Sequence, residues 1–203
     1  ECFDENNDGD KEGLIGDVSY TNLYKVRNGG TPALANIDTV EANWTSASLA
    51  VNLNLFPCAF HLDVNNDGMR DMLVSPSAAN VSENTQSIWY YKNTGTDLNP
   101  VFTYQQDDML QDNMIDVGEG AYPVFFDYDA DGLLDIIIGN YGYFTSPGNK
   151  TSKLAAYRNT GTPTLPEFTL TNTNYANLPF LLDTINNLHP AFADLDADGD
   201  KDM

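Results

Sequence analysis

The chain has 203 residues, enough for one large domain or two small ones. Apolar residues make up 41% of it alongside 15 glycines, a globular share that excludes a wholly disordered chain. Thirty acids against nine bases give a formal charge of −21, which repels phosphate backbones, and no apolar run approaches the roughly 20 residues that cross a bilayer; neither nucleic-acid binding nor a transmembrane helix is expected.

From the N-terminus, Cys2-Phe3 reads as the end of a strand entering an acidic loop, Asp4-Glu-Asn-Asn-Asp-Gly-Asp-Lys-Glu12. The loop recurs without gaps as Asp63-Val-Asn-Asn-Asp-Gly-Met-Arg-Asp71, Asp127-Tyr-Asp-Ala-Asp-Gly-Leu-Leu-Asp135 and Asp194-Leu-Asp-Ala-Asp-Gly-Asp-Lys-Asp202, with starts 59, 64 and 67 residues apart. A second motif keeps step with it: Tyr24-Lys-Val-Arg-Asn-Gly-Gly-Thr-Pro32, Tyr91-Lys-Asn-Thr-Gly-Thr96 and Tyr157-Arg-Asn-Thr-Gly-Thr-Pro163. The last two are followed by Pro100-Val-Phe102 and Pro166-Glu-Phe168. Strand-like runs flank the loops, with Pro123–Phe126 and Pro190–Ala193 before them and Met72–Val74 and Ile136–Gly139 after. The third unit is expected to hold four strands, roughly Pro123–Phe126, Ile136–Tyr141, Lys153–Arg158 and Glu167–Thr171. No stretch sustains a 3.6-residue apolar period, so helices should be few. Four-stranded units of this size predict an all-β fold, a β-propeller of four-stranded blades covering about three blades and the start of a fourth. The expected blades are 1–56, 57–120, 121–188 and an incomplete 189–203.

The loop chemistry is specific. Oxygen side chains at positions 1, 3 and 5, a glycine at 6 that permits a sharp turn, a backbone carbonyl at 7 and a carboxylate at 9 wrap hard oxygens around one cation. Six to eight oxygens suit calcium better than magnesium, and the absence of Cys and His from the loops argues against zinc and copper. One such loop alone would read as an acidic turn, but four in register do not. An EF-hand needs an acidic twelfth residue and flanking helices, whereas position twelve here is Ile15, Val74 and Ile138 in the first three loops. Fourteen of the 30 acids fall at side-chain ligand positions, so four calcium ions would bring the charge from −21 to about −13.

The segment Pro123–Gly139, Pro-x-Phe-x-Asp-x-Asp-x-Asp-Gly-x-x-Asp followed by three apolar residues and Gly, resembles the FG-GAP/VCBS repeat of integrin α-subunit heads and many secreted bacterial proteins. The resemblance implies a propeller, usually seven-bladed, with up to four calcium ions here, each in the hairpin between a blade's first and second strands. Carried onto this chain, the implied side-chain ligands are Asp63, Asn65, Asp67 and Asp71; Asp127, Asp129, Asp131 and Asp135; and Asp194, Asp196, Asp198 and Asp202. Met69, Leu133 and Asp200 would give backbone carbonyls. In the first loop Asp4, Asn6 and Asp8 fit and Glu12 stands at position nine, one methylene longer; a weaker site is expected there. The second unit carries His61 where Phe is usual and ends its apolar run Val74-Ser75, changes that touch packing more than coordination.

The Tyr-x-Asn-Thr-Gly-Thr-Pro segments look most like cell-surface proteins of Bacteroidota exported by type IX secretion. Asp38-Thr-Val40 and Asp183-Thr-Ile185 match the short O-glycosylation signal of that group; the sequons at Asn43, Asn80 and Asn149 carry little weight in a bacterial protein. Cys2 and Cys58 read either as small apolar residues or as one disulfide, with the disulfide favoured by their similar places in neighbouring units. The expected function is an extracellular or cell-surface module for adhesion, recognition or display, part of a longer polypeptide, with a protein or glycan ligand. An enzyme is the less favoured reading: His61 and His189 sit beside predicted inner strands as packing residues, and most acids are committed to metal. A carbohydrate-active propeller, with Tyr141, Tyr143 and Phe144 stacking on sugar, is one alternative; a secretion-system cargo or partner subunit is the other.

Overall fold

A computed structural model describes residues 1–44, 47–77, 85–145, 149–180 and 186–203. The Asp183-Thr-Ile185 triplet and the Asn80 sequon lie outside the described residues. Two compact units divide the chain, Glu1–Ile115 and Asp116–Met203.

The first unit holds two four-stranded antiparallel sheets, each in simple chain order. In one, β1 (Cys2–Phe3), β2 (Glu12–Gly16), β3 (Leu23–Asn28) and β4 (Ile37–Glu41) follow each other; in the other, β5 (Pro57–Leu62), β6 (Asp71–Pro76), β7 (Trp89–Asn93) and β8 (Phe102–Gln106) do the same. Phe3, Leu14 and Leu23 from the first sheet and Ala59, Met72, Val74, Tyr91 and Phe102 from the second share one buried core, into which the connection between the sheets inserts Trp44, Val51 and Leu53. Large rings dominate it: Trp44 lies 5.1 Å from Phe102 and 5.7 Å from Tyr91, tilted or edge-on as the ring quadrupoles favour.

The second unit repeats the pattern with β9 (Tyr122–Phe126), β10 (Asp135–Gly139), β13 (Leu154–Asn159) and β14 (Phe168–Asn172). A separate hairpin, β11 (Tyr143–Thr145) and β12 (Asn149–Thr151), hangs between β10 and β13, and a 3₁₀ turn follows at Tyr175–Phe180. Successive side chains of a strand point to opposite faces. Accordingly Ile136 and Ile138 join one apolar cluster with Val117 and Tyr157, while Ile137 joins another with Leu154 and Ala156. That is why β10 reads as an unbroken apolar run: both its faces are covered.

Adjoining repeats meet in a fixed way. The residue just before one loop packs its ring on the residue two before the next: Phe3 on His61 at 4.9 Å, and Phe126 on Phe192 at 4.2 Å. His61 thus takes the place of the usual Phe as a packing ring, with burial lowering its pKa; His189 stacks on Tyr122 at 3.5 Å. The glycine that closes β10 is needed for backbone approach, since a Cβ on Gly139 would stand 2.1 Å from the Leu188 carbonyl oxygen.

Three local expectations differ from the structure. Pro190–Ala193 forms no strand but a single bridge, Ala193 to Asp202. The second strand of the third unit stops at Gly139, and Tyr141 lies outside it. Cys2 and Cys58 are free and exposed rather than disulfide-bonded. Cys2 precedes its loop by two residues and Cys58 by five, an odd difference that puts them on opposite faces of their strands.

Candidate metal centre

Each acidic loop closes on itself through the same backbone hydrogen bonds. The first-position carboxylate accepts the N–H of the sixth-position glycine at 2.9–3.2 Å: Asp4 from Gly9, Asp63 from Gly68, Asp127 from Gly132, Asp194 from Gly199. The third-position oxygen (Asn6, Asn65, Asp129, Asp196) accepts the fifth N–H, and the fifth-position carboxylate (Asp8, Asp67, Asp131, Asp198) accepts the seventh, which belongs to Asp10, Met69, Leu133 and Asp200. This winding requires left-handed backbone twice per loop, at the fourth residue (φ 59° to 64°) and at the glycine (φ 87° to 101°). No neighbour crowds Gly68, Gly132 or Gly199, so the torsion alone selects glycine there.

In the first three repeats the ninth-position acid begins the next strand and is buried: Glu12 is 1% exposed, and Asp71 and Asp135 are fully enclosed. One of its oxygens accepts the N–H of the loop's second residue: Glu12 from Glu5, Asp71 from Val64, Asp135 from Tyr128, Asp202 from Leu195, at 2.8–3.2 Å. In two repeats the other oxygen accepts the N–H of the asparagine in the Tyr-x-Asn-Thr-Gly-Thr motif, Asn93 to Asp71 and Asn159 to Asp135, both at 2.8 Å. The asparagine in turn folds the following turn, its Oδ1 accepting two backbone N–H groups (Gly95 and Val101 at Asn93; Gly161 and Glu167 at Asn159; Gly30 and Asn36 at Asn28). The two recurring motifs are therefore one hydrogen-bonded assembly, which residue spacing alone does not reveal.

Carboxylate oxygens within 4.8 Å of one another are gathered in three loops: Asp8, Asp10 and Glu12; Asp127, Asp129 and Asp135; and Asp194, Asp196 and Asp202. In the second loop no three carboxylates come that close among the described residues, and Asp67 instead faces Lys92 at 3.3 Å. Asp131 stands outside the third trio, and Arg158 pairs with both acids, its Nε 2.6 Å from Asp129 and its Nη2 2.9 Å from Asp131. The Leu133 N–H first and Arg158 second hold the Asp131 carboxyl below its usual range; the Met69 N–H and then Lys92 do the same for Asp67. In the first loop the seventh residue, Asp10, is an addition that the sequence did not single out. It is 4% exposed, and its pKa is pushed up to about 6, first by sharing a hydrogen bond with Asp8, then by burial and repulsion from Asp8, Glu12 and Asp4.

Whether the first loop suits a cation is answered by what it leaves unpaired. Asp4 Oδ1, Asp10 Oδ1 and Glu12 Oε1 are buried without a hydrogen-bond partner. Ionised carboxylates only accept, so buried oxygens lacking a donor are costly unless a cation meets them. A hard-oxygen donor set with no nitrogen or sulfur fits calcium.

The FG-GAP-like repeat pattern matches residues 63–138 and 127–203, well over half of the chain. The chain belongs to the FG-GAP-like repeat family. Its all-β body of four-stranded antiparallel sheets fits the blades of a partial β-propeller, the fold of such repeats. No curated protein and no solved structure matches it. Among the described residues, no helix is long and apolar enough to cross a membrane. Of the aromatics considered for sugar stacking, Tyr143 packs against the Ile136–Ile138 cluster, where burial pushes its pKa up to about 12, and Tyr141 lies under the Lys150 ammonium at 5.3 Å.

Proposed function

We propose that this FG-GAP chain is part of a calcium-stabilised extracellular β-propeller, divided into blades at about 1–56, 57–120, 121–188 and 189–203, that serves adhesion, recognition or surface display within a larger secreted protein. Up to four calcium ions occupy the acidic loops, and the ligand is a protein or glycan at the cell surface. The Tyr-x-Asn-Thr-Gly-Thr-Pro segments support an origin among type IX-secreted proteins of Bacteroidota. The observation that carries the calcium reading is the set of buried, donorless carboxylate oxygens in a loop whose backbone winding recurs four times. Calcium would supply positive charge where four carboxylates otherwise repel, and would tie each hairpin to its buried ninth-position acid.

The test is thermal unfolding of the purified chain in chelator and in millimolar calcium. Each site filled at 100 times its Kd adds about 2.7 kcal/mol, so a large calcium-dependent rise in Tm is expected. An unchanged Tm overturns the calcium reading. For the ligand, a glycan array combined with an activity screen on polysaccharides separates binding from turnover; retention on the array without cleavage is expected, and turnover would make the protein an enzyme.

A further inference from the structure

The four loops share their backbone winding but not their charge environment, and the first departs most. Position seven is acidic in two of them. In the first, Asp10 is 4% exposed, one of its oxygens has no hydrogen-bond partner, and its carboxylate lies within 4.8 Å of those of Asp8 and Glu12. Glu12 is itself 1% exposed with Oε1 unpartnered, and Asp4 Oδ1 is in the same condition.

The basic residue before the motif asparagine behaves differently too. In the second and third repeats Lys92 and Arg158 sit on loop carboxylates, so an ion must displace a resident cation. In the first repeat the corresponding Arg27 forms a two-pronged pair with Asp38, at 2.9 and 2.6 Å. Nearby Lys25 is held by Glu5 and Glu41, at 2.8 and 3.3 Å, and neither acid is a ligand position.

We infer that Asp10 is a side-chain ligand as well as a backbone one, and that it makes the first loop a tighter calcium site than the second and third loops, the reverse of what Glu12 in place of Asp suggests. Calcium affinity follows the number of charged ligands and the rigidity of the site. The first loop offers four carboxylates, those of Asp4, Asp8, Asp10 and Glu12, two of them buried and none neutralised by the third-strand base. The inference rests on the calcium reading above.

Asp10→Asn keeps the side-chain shape and removes one charge. Calcium titration calorimetry on the whole chain, with terbium luminescence excited through Trp44, reads the effect. Trp44 Nε1 donates to Glu5 Oε1 at 3.4 Å, and Glu5 is the loop's second residue, so this ring reports on the first site. Asp10→Asn is expected to weaken the site that Trp44 reports roughly 10–100-fold, at least the usual cost of disturbing a ligand's support, while Asp200→Asn leaves that site unchanged. In chelator Asp10→Asn should raise Tm, because it relieves repulsion, and in calcium it should shrink the gain; a purely structural residue would lower Tm in both. If calcium binds but Asp10→Asn and Asp200→Asn behave alike, the inference falls and the calcium reading stands. If no calcium binds at any concentration, both fall.

Discussion

Ala130 and Ala197 occupy the fourth position of their loops in left-handed backbone, at φ 59° and 63°, where the first two loops carry Asn7 and Asn66. A Cβ in that region crowds the following carbonyl, and asparagine bears it better than alanine. Ala130→Asn is therefore expected to raise stability by about 0.5–1 kcal/mol, measured by urea unfolding in chelator; a loss would mean that the torsion relaxes without cost. At this scale the sequence is informative where local chain geometry decides. Oxygens at positions 1, 3 and 5 announce the loop because each accepts a backbone N–H of the same winding in all four repeats. The burial of Asp10 is not legible, because only tertiary surroundings enclose it. The diversion of Arg27 to Asp38 is hidden for the same reason: the partner lies eleven residues away, across a strand pair.

The working element is a hairpin with its acidic loop plus the turn of the next strand pair, joined through the ninth-position acid. Asn159 is the pivot: its N–H is held by Asp135, and its Oδ1 holds Gly161 and Glu167 at 3.1 and 3.2 Å. Asn159→Ala leaves two backbone donors without their acceptor and should cost about 1–3 kcal/mol, read by chemical denaturation; a change within error would show that water replaces the side chain freely. Strands β9, β10, β13 and β14 are recognisable from apolar runs between turn residues, since each needs only its own alternation or its two-sided burial. The β11–β12 hairpin is not, because Tyr143–Thr151 lacks a periodic apolar pattern. Pro190–Ala193 has the composition of a strand and forms a single bridge, Ala193 to Asp202.

Across the whole molecule, a charge of −21 acts against compactness. Added salt shortens the screening length from about 10 Å at 0.1 M to about 3 Å at 1 M. In chelator, Tm should thus climb with sodium chloride, and the climb should flatten once calcium has neutralised the loops; a curve that is flat in chelator would show that the acids are already well solvated. The repeat architecture was open to sequence reading because two motifs kept step along the chain. The way adjoining repeats touch was not, since Phe3–His61 and Phe126–Phe192 join residues 58 and 66 positions apart. Phe3 also meets Phe102, at 5.9 Å. During synthesis, at about 5–20 residues per second, the ribosome must deliver about a hundred more residues before Phe102 completes this ring's cover. For some 5–20 seconds the nascent chain carries an incompletely covered phenylalanine beside a knot of mutually repelling acids, a state suited to handling by chaperones.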